Sequence, residues 1–181
     1  MKPRLPLFLA WLFCFVFTAK ANADDWARAV PEYTMKAAYL YNFAQLTEWP
    51  AQPSAQEEAF NLCVYGQDEL IAALEGLRGR TVSKRPLRVL RLTDMAELRQ
   101  CHLLYVADGE GARGGRMFDA LKGDPVLTVT DDPRAGRAGA MLTLTTDDRH
   151  LAFEVNLDAA RRAQLKFSSK LLRLAKRVMG E

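Results

Sequence analysis

The sequence predicts an α/β fold, a three-layer sandwich in which helices flank a mostly parallel sheet with an antiparallel hairpin at one edge. Three observations predict it. Between residues 60 and 130 short apolar runs alternate with segments of helical period, which is how strands joined by helical crossovers read. Two strand-like runs then flank Thr146, Asp147, Asp148 and Arg149, a good hairpin turn. Helical segments rich in apolar residues stand on either side of this block.

The elements follow in order. Residues 31–49 read as a helix, with Met35, Tyr39, Phe43 and Leu46 on one stripe and Ala37, Leu40, Tyr41 and Ala44 covering most of the rest. An apolar surface this broad implies burial on several sides or a partner. Pro50 and Pro53 end the helix. Next come strand 60–65, helix 69–77, strand 87–92, short helix 94–100, strand 101–107, helix 115–122 and strand 126–130. Runs 141–145 and 150–156 pair as the hairpin and give the sheet its antiparallel edge. The C-terminal segment is expected to be helical over about 157–178, and a break at Ser168 and Ser169 would place a hydroxyl to cap a second helix. Unbroken, it aligns Arg162, Lys166, Lys170, Arg173 and Arg177 on one stripe. That stripe reads first as a solvated basic face and second as a site for an acidic partner or anionic head group. No internal repeat or linker divides residues 24–181, which read as one domain.

Lys2 and Arg4 precede an apolar run over residues 5–17, and Ala21 and Ala23 complete a small-residue cleavage site. Residues 1–23 therefore read as a cleaved signal peptide that sends the rest to the periplasm. The run is shorter than the roughly 18 residues a spanning helix needs, and Trp11, Leu12 and Phe13 before Cys14 are too bulky for a lipid-attachment site. Cleavage removes Lys2, Arg4 and Lys20 with no acid, so the formal charge falls from +3 to zero. General attraction to nucleic acid loses its support. Cys63 and Cys101 remain. In an oxidising compartment an even pair reads as a disulfide, with two buried free thiols as the alternative.

Catalytic motifs are weak. Gly109, Gly111 and Gly114 have G-x-G-x-x-G spacing after a strand, with Asp131 and Asp132 about twenty residues on. The late position, the short helix before Gly123 and the scarcity of nicotinamide cofactors outside the cytoplasm favour a flexible surface turn. His102 and His150 have neither metal-ligand nor catalytic spacing. The paired acids Glu57 and Glu58, Asp131 and Asp132, and Asp147 and Asp148 read as solvated. No catalytic, metal or cofactor residue is assigned, and the chain reads as a binding protein rather than an enzyme.

Lys36, Ala37 and Ala38, then Asn42 and Phe43, then Glu48, Trp49 and Pro50 form a K-A-A-x-x-x-N-F-x-x-x-x-E-W-P segment. It resembles the opening of the YfiR-like family of small periplasmic regulators, and the likeness continues through residues 62–66, 101–106, 127–131 and 153–175. In that family the best understood member represses an inner-membrane diguanylate cyclase by binding its periplasmic sensor region. An outer-membrane lipoprotein relieves the repression by sequestering the repressor. The resemblance implies the same kind of regulator here, lowering cyclic-di-GMP signalling and tuning biofilm formation. It also implies a Cys63–Cys101 disulfide, whose reduction would couple envelope redox state to repression. A further cysteine pair that some relatives carry near residues 136–141 is absent.

A regulated interface needs an apolar patch with a polar rim. Tyr39, Phe43, Trp49, Phe153, Glu154, Arg161, Arg162, Leu165 and Lys166 are the candidates, with Phe167 beside them, and each apolar one is equally readable as core. The region around Glu154 and residues 161–166 is preferred. A homodimer through the first helix is also expected. The alternative function is a small-ligand-binding sensory module acting on another membrane sensor, its crevice at the strand C-termini lined by the turns at 65–67 and 107–115.

Overall fold

The structure is a computed structural model that describes residues 23–50, 59–147 and 150–180. Apart from Ala23, the expected signal peptide lies outside the described residues, as do Glu57, Glu58, Asp148 and Arg149 of the acidic and turn segments.

The first helix, α1 (Ala23–Gln45), packs through Ala37, Leu40, Phe43 and Ala44, all buried and spaced three or four apart as one helical face requires. Tyr39, Tyr41 and Leu46 lean on the same core from its flanks. It stops at Gln45 rather than Trp49. The Thr47 hydroxyl turns back to the Phe43 carbonyl, and the chain straightens into β1 (Thr47–Glu48), which pairs antiparallel with β9 (Lys166–Phe167).

The main sheet contains β2 (Phe60–Tyr65), β3 (Thr81–Val82), β4 (Arg85–Arg91), β5 (Leu103–Val106), β6 (Leu127–Thr130), β7 (Leu142–Asp147), β8 (His150–Asn156) and β10 (Arg177–Met179). Their spatial order is β10-β8-β7-β6-β5-β2-β4-β3. The β7–β8 and β3–β4 pairs are antiparallel and the remaining pairings parallel. The helices are α2 (Asp68–Glu75), α3 (Gly111–Ala120), α4 (Pro133–Arg137), α5 (Leu157–Arg162) and α6 (Ser169–Leu174), with a 3-10 turn at Met95–Gln100 capped by the Asp94 carboxylate.

Every residue of β5 and β6 is buried, the mark of strands covered on both faces. Alternation then sorts the side chains. Leu62, Val64, Leu103, Tyr105, Leu127 and Val129 join the core under α1, α2, α5 and α6. Cys63, Leu104 and Val106 face a second core built with Met117 and Phe118 of α3, Ala135 of α4 and Leu98 of the 3-10 turn. These are the three expected layers. Cys63 and Cys101 form a disulfide with a Cα–Cα distance of 5.8 Å, tying β2 to the entry of β5 inside the smaller core.

Four local expectations are corrected. The hairpin is not the outermost edge, because β10 pairs parallel to the outside of β8. The helix expected at 115–122 begins at Gly111. The C-terminal segment is not one helix but α5, β9, α6 and β10 in succession. Gln164 adopts a left-handed φ of 60°, and the Leu165 N–H bonds back to the Ala160 carbonyl, a Schellman-type stop. The predicted Ser168 cap is present, its hydroxyl accepting the Leu171 N–H. The five cations of the proposed stripe are thereby divided among separate elements.

Candidate functional site

Strand β2 leads through α2 to β4 on one side, while β5 leads through α3 to β6 on the other. The order of winding therefore reverses between β2 and β5, where open α/β sheets leave a crevice at the carboxyl ends of their strands. A cleft of about 800 Å³ opens there, lined by Gln67 after β2, Asp108 after β5, Asp131 after β6, and Leu144, Thr145 and Thr146 of β7. Glu32, Met35 and Lys36 of α1, Pro133 and Leu151 complete it. Both turns expected to line such a crevice contribute a side chain.

The cleft is organised around Lys36, only 7% exposed. Its Nζ lies 2.7 Å from Asp131 Oδ2 and 2.6 Å from Glu32 Oε1. Burial alone would lower the ammonium pKa, but hydrogen bonds to Asp131 and then Glu32 outweigh it and hold the group above its ordinary value. Beneath them the Tyr105 hydroxyl donates to Gln67 Oε1 (3.4 Å), and Gln67 Nε2 donates to the Tyr33 hydroxyl (3.1 Å). Burial first, then the Asp131 charge, keeps the Tyr105 phenol un-ionised far beyond its ordinary range. The Tyr105 phenol thus stands between Gln67 and the Asp131 carboxyl, with a hydrogen bond to Asp131 adding to the rise in its pKa, and Asp131 Oδ1 and Thr145 Oγ1 are both sealed from solvent.

Neither Lys36 nor Asp131 was singled out from the sequence as a site residue. The available signal is a lysine in register with Leu40, Phe43 and Ala44 on the buried side of α1, and an acid directly following a fully buried strand.

The adjacent Asp132 belongs to the scaffold. Its Oδ1 caps α4 by accepting the N–H groups of Arg134 and Ala135, and its Oδ2 accepts the Gly109 N–H at 3.1 Å. Burial opposes the charge, but the backbone donors of Ala135 and Arg134 hold the carboxyl below its usual pKa. A Cβ on Gly111 would sit 2.6 Å from Asp132 Oδ1. Of the G-x-G-x-x-G segment, expected as a surface turn, Gly109 stands in an exposed turn, while Gly111 and Gly114 lie on the buried side of the first turn of α3. A resident carboxylate occupies the place a dinucleotide phosphate would need.

The partner-surface candidates separate into different settings. Tyr39, Phe43 and Phe153 meet edge to face, with ring centroids 4.9–6.1 Å apart, and with Leu46, Leu171 and Leu174 they line an apolar groove of about 530 Å³ between α1 and α6. Leu174 is 63% exposed, and Lys170 stands on the same wall. Trp49 packs instead on Phe60, and Leu165 is core. Glu154 faces Arg177 of β10 at 3.8 Å, and Arg161 bonds to the Gly180 carbonyl and lies 3.5 Å from Asp158. Arg162, Lys166 and Lys170 are exposed, while Phe167 is half-buried. His102 is a packed residue, stacked on Phe60, with Nδ1 accepting the Asn61 N–H and Nε2 2.9 Å from Arg85. Among the described residues no cluster of His, Cys, Asp and Glu is arranged to hold a metal ion, and no helix is long and apolar enough to cross a membrane.

A doubly wound α/β domain with a polar crevice at its strand ends and an apolar groove beside its first helix is the class this geometry defines. A family model described as YfiR/HmsC-like matches residues 33–176, and the chain belongs to that family of periplasmic regulators. The resemblance carried by residues 36–50 is thus borne out. A crystal structure described as a conserved domain protein from Vibrio cholerae O1 biovar El Tor is similar in fold, with a TM-score of 0.55 at 9% identity. The alignment covers 78% of this chain and 59% of that one, so this chain spans about three fifths of its length. At that identity the likeness bears on the fold alone.

Proposed function

We propose that this chain binds the periplasmic sensor region of an inner-membrane diguanylate cyclase and represses it, lowering cyclic-di-GMP output and biofilm formation. It acts by binding and not by chemistry of its own, and an outer-membrane lipoprotein that sequesters it would relieve the repression. Family membership supports the regulatory role, and the observation that carries the interface is the groove of Tyr39, Phe43, Phe153, Leu171 and Leu174. An apolar channel beside the exposed cations Lys170 and Arg173 suits the apolar side of a partner helix that carries acids at its margin. Repression then requires that the groove bind one cyclase state more tightly than the other.

Crosslinking in cells followed by identification of captured membrane proteins tests this reading. Recovery of a protein with a periplasmic sensor and a cytoplasmic cyclase domain is expected, and deletion of the gene raises cyclic-di-GMP. Leu174→Asp abolishes the crosslink while leaving the unfolding free energy within about 0.5 kcal/mol of the parent, since an exposed side chain contributes little to the core. Capture of only a second copy would replace the cyclase with a homodimer.

A second reading is favoured by the crevice. A cleft of small-molecule size at the winding reversal suits a sensory module in which a small ligand controls the membrane partner.

A further inference from the structure

We infer that the outer edge of β4, over residues 87–91, is a docking site for an extended acidic segment of another protein, which adds to the sheet as a further strand. The inference goes beyond the groove reading and shares no residue with it.

Backbone pairing is the first observation. Strand β3 pairs with β4 only at Arg85 and Pro86, because the chain arrives from α2 through Gly79 at a left-handed φ of 82° and meets the edge at Arg80. The Leu87 N–H bonds outward to the Arg80 carbonyl, whereas the Leu92 N–H bonds inward to the Val64 carbonyl of β2. Backbone groups alternate in direction along a strand, so those of Val89 and Arg91 point outward with Leu87. Among the described residues no strand pairs with them. Such an edge is a template for an added strand.

A hollow beside this edge is the second observation. It measures about 160 Å³ and is lined by Leu74 at the end of α2 and by Leu87 and Val89, with the exposed Glu75, Arg78 and Arg88 completing it. A strand laid along β4 turns every second side chain toward this face, and the hollow suits an aliphatic one.

Charge selects the occupant. Residues 76–91 hold six cations and no acid. Arg85 turns inward onto Phe60 and His102, Arg78 pairs with Glu75, and Arg91 pairs with Asp68. The exposed Arg80, Lys84 and Arg88 form no ion pair among the described residues. Cations and a proline on an edge keep it from pairing with a second copy, since Arg88 and Arg91 would there crowd against their own counterparts. The same field draws in an acidic strand. The fitting segment alternates aliphatic and acidic side chains, the aliphatic ones over Leu87 and Val89 and the acidic ones beside Arg88.

Fluorescence anisotropy with three labelled octapeptides tests this: alternating valine and glutamate, alternating valine and lysine, and the valine–glutamate peptide methylated at every backbone nitrogen. Saturable binding of the unmethylated valine–glutamate peptide alone is expected, weakening as ionic strength rises, and hydrogen exchange at the Val89 and Arg91 amides slows in the complex. Val89→Pro removes an outward N–H without touching a bond to β2, and Arg88→Glu reverses an exposed charge, so both variants remain folded by thermal unfolding. The first is expected to abolish binding and the second to weaken it roughly fivefold, the scale of an exposed cross-strand charge pair. Equal binding of the lysine peptide would overturn the acidic class, and equal binding of the methylated peptide would overturn strand addition. Concentration-dependent protection of Val89 without any peptide would assign the edge to a second copy and overturn the proposal. Absence of binding by all three peptides, or binding unchanged in both variants, would also overturn it.

Discussion

Lys36 shows how one residue joins stability to the cleft. Its ammonium and the Asp131 carboxylate are both nearly buried and 2.7 Å apart, so each neutralises a charge that the interior would otherwise reject. Lys36→Met keeps the length of the side chain but strands Asp131, and urea unfolding is expected to show a loss of about 3–5 kcal/mol. The Lys36→Met, Asp131→Leu double variant, which removes both charges, regains most of that. A single variant that loses less than about 1 kcal/mol would show that the pair is not buried as described. His102 gives the second residue-scale prediction. Burial, and after it the Arg85 charge, lower its pKa from 6.5 to about 4. The unfolded chain therefore binds this proton before the folded one does, and stability declines as pH falls from about 6.5 towards 4. Asp132, depressed in the fold, adds a further loss at lower pH as it protonates. Titration of the His102 ring by NMR should give a midpoint near 4, and His102→Gln should flatten the upper part of the acid limb. A midpoint at the ordinary histidine value would refute the buried setting.

At the scale of elements, the sequence was legible wherever local pattern and final packing agree. Strand β2 and strand β8 were read with their observed bounds, and the crossovers α2 and α3 followed from the alternation, whereas the short α4 between β6 and β7 was not read. The C-terminal segment was misread because Ala159, Ala160, Ala163, Leu165, Leu171 and Leu172 favour helix locally, whereas what breaks it is pairing with distant strands, β9 with β1 and β10 with β8. No window of the sequence contains those partners. Strand β3 was missed for a related reason. Its two-residue turn uses Ser83 and Lys84 at φ 49° and 68°, where an Asn-Gly pair would have announced the hairpin. The same misfit of residue to backbone yields a prediction at Gln164, exposed and left-handed at the end of α5. Gln164→Gly removes a Cβ penalty of about 1–2 kcal/mol and returns part of it as unfolded-chain entropy. A net gain of about 0.5–1 kcal/mol is expected, read as a higher midpoint in denaturant. A loss would mean that the Gln164 side chain makes a contact worth more than the strain it bears.

For the whole molecule, the candidate site was half legible. The topological rule located the crevice and two of its turns, because strand order fixes where an α/β sheet opens. The Lys36–Asp131 pair was not foreseen, since the two residues are 95 positions apart and come together only when α1 lies across the sheet. The disulfide acts at this same scale, for it joins β2 to β5, the two strands between which the crevice opens. Its sequence separation of 38 residues corresponds to about 4 kcal/mol of lost chain entropy in the unfolded state. The Cys63→Ser, Cys101→Ser variant should therefore unfold at a markedly lower denaturant concentration. It also replaces a bond in the second core with two hydroxyls among Leu104, Val106 and Met117, which adds to the loss. Because Leu62 and Val64 face the opposite core, the effect on the two candidate surfaces should be unequal. The groove between α1 and α6 rests on the large core and keeps its shape. The crevice depends on the register of β2 against β5 and loosens. Amide hydrogen exchange in the turns at Gln67 and Asp108, which follow β2 and β5 at the crevice, should quicken in the double variant while crosslinking through Leu174 persists. Loss of both the protection and the crosslink would show that the bond holds the entire domain together and does not act through the crevice.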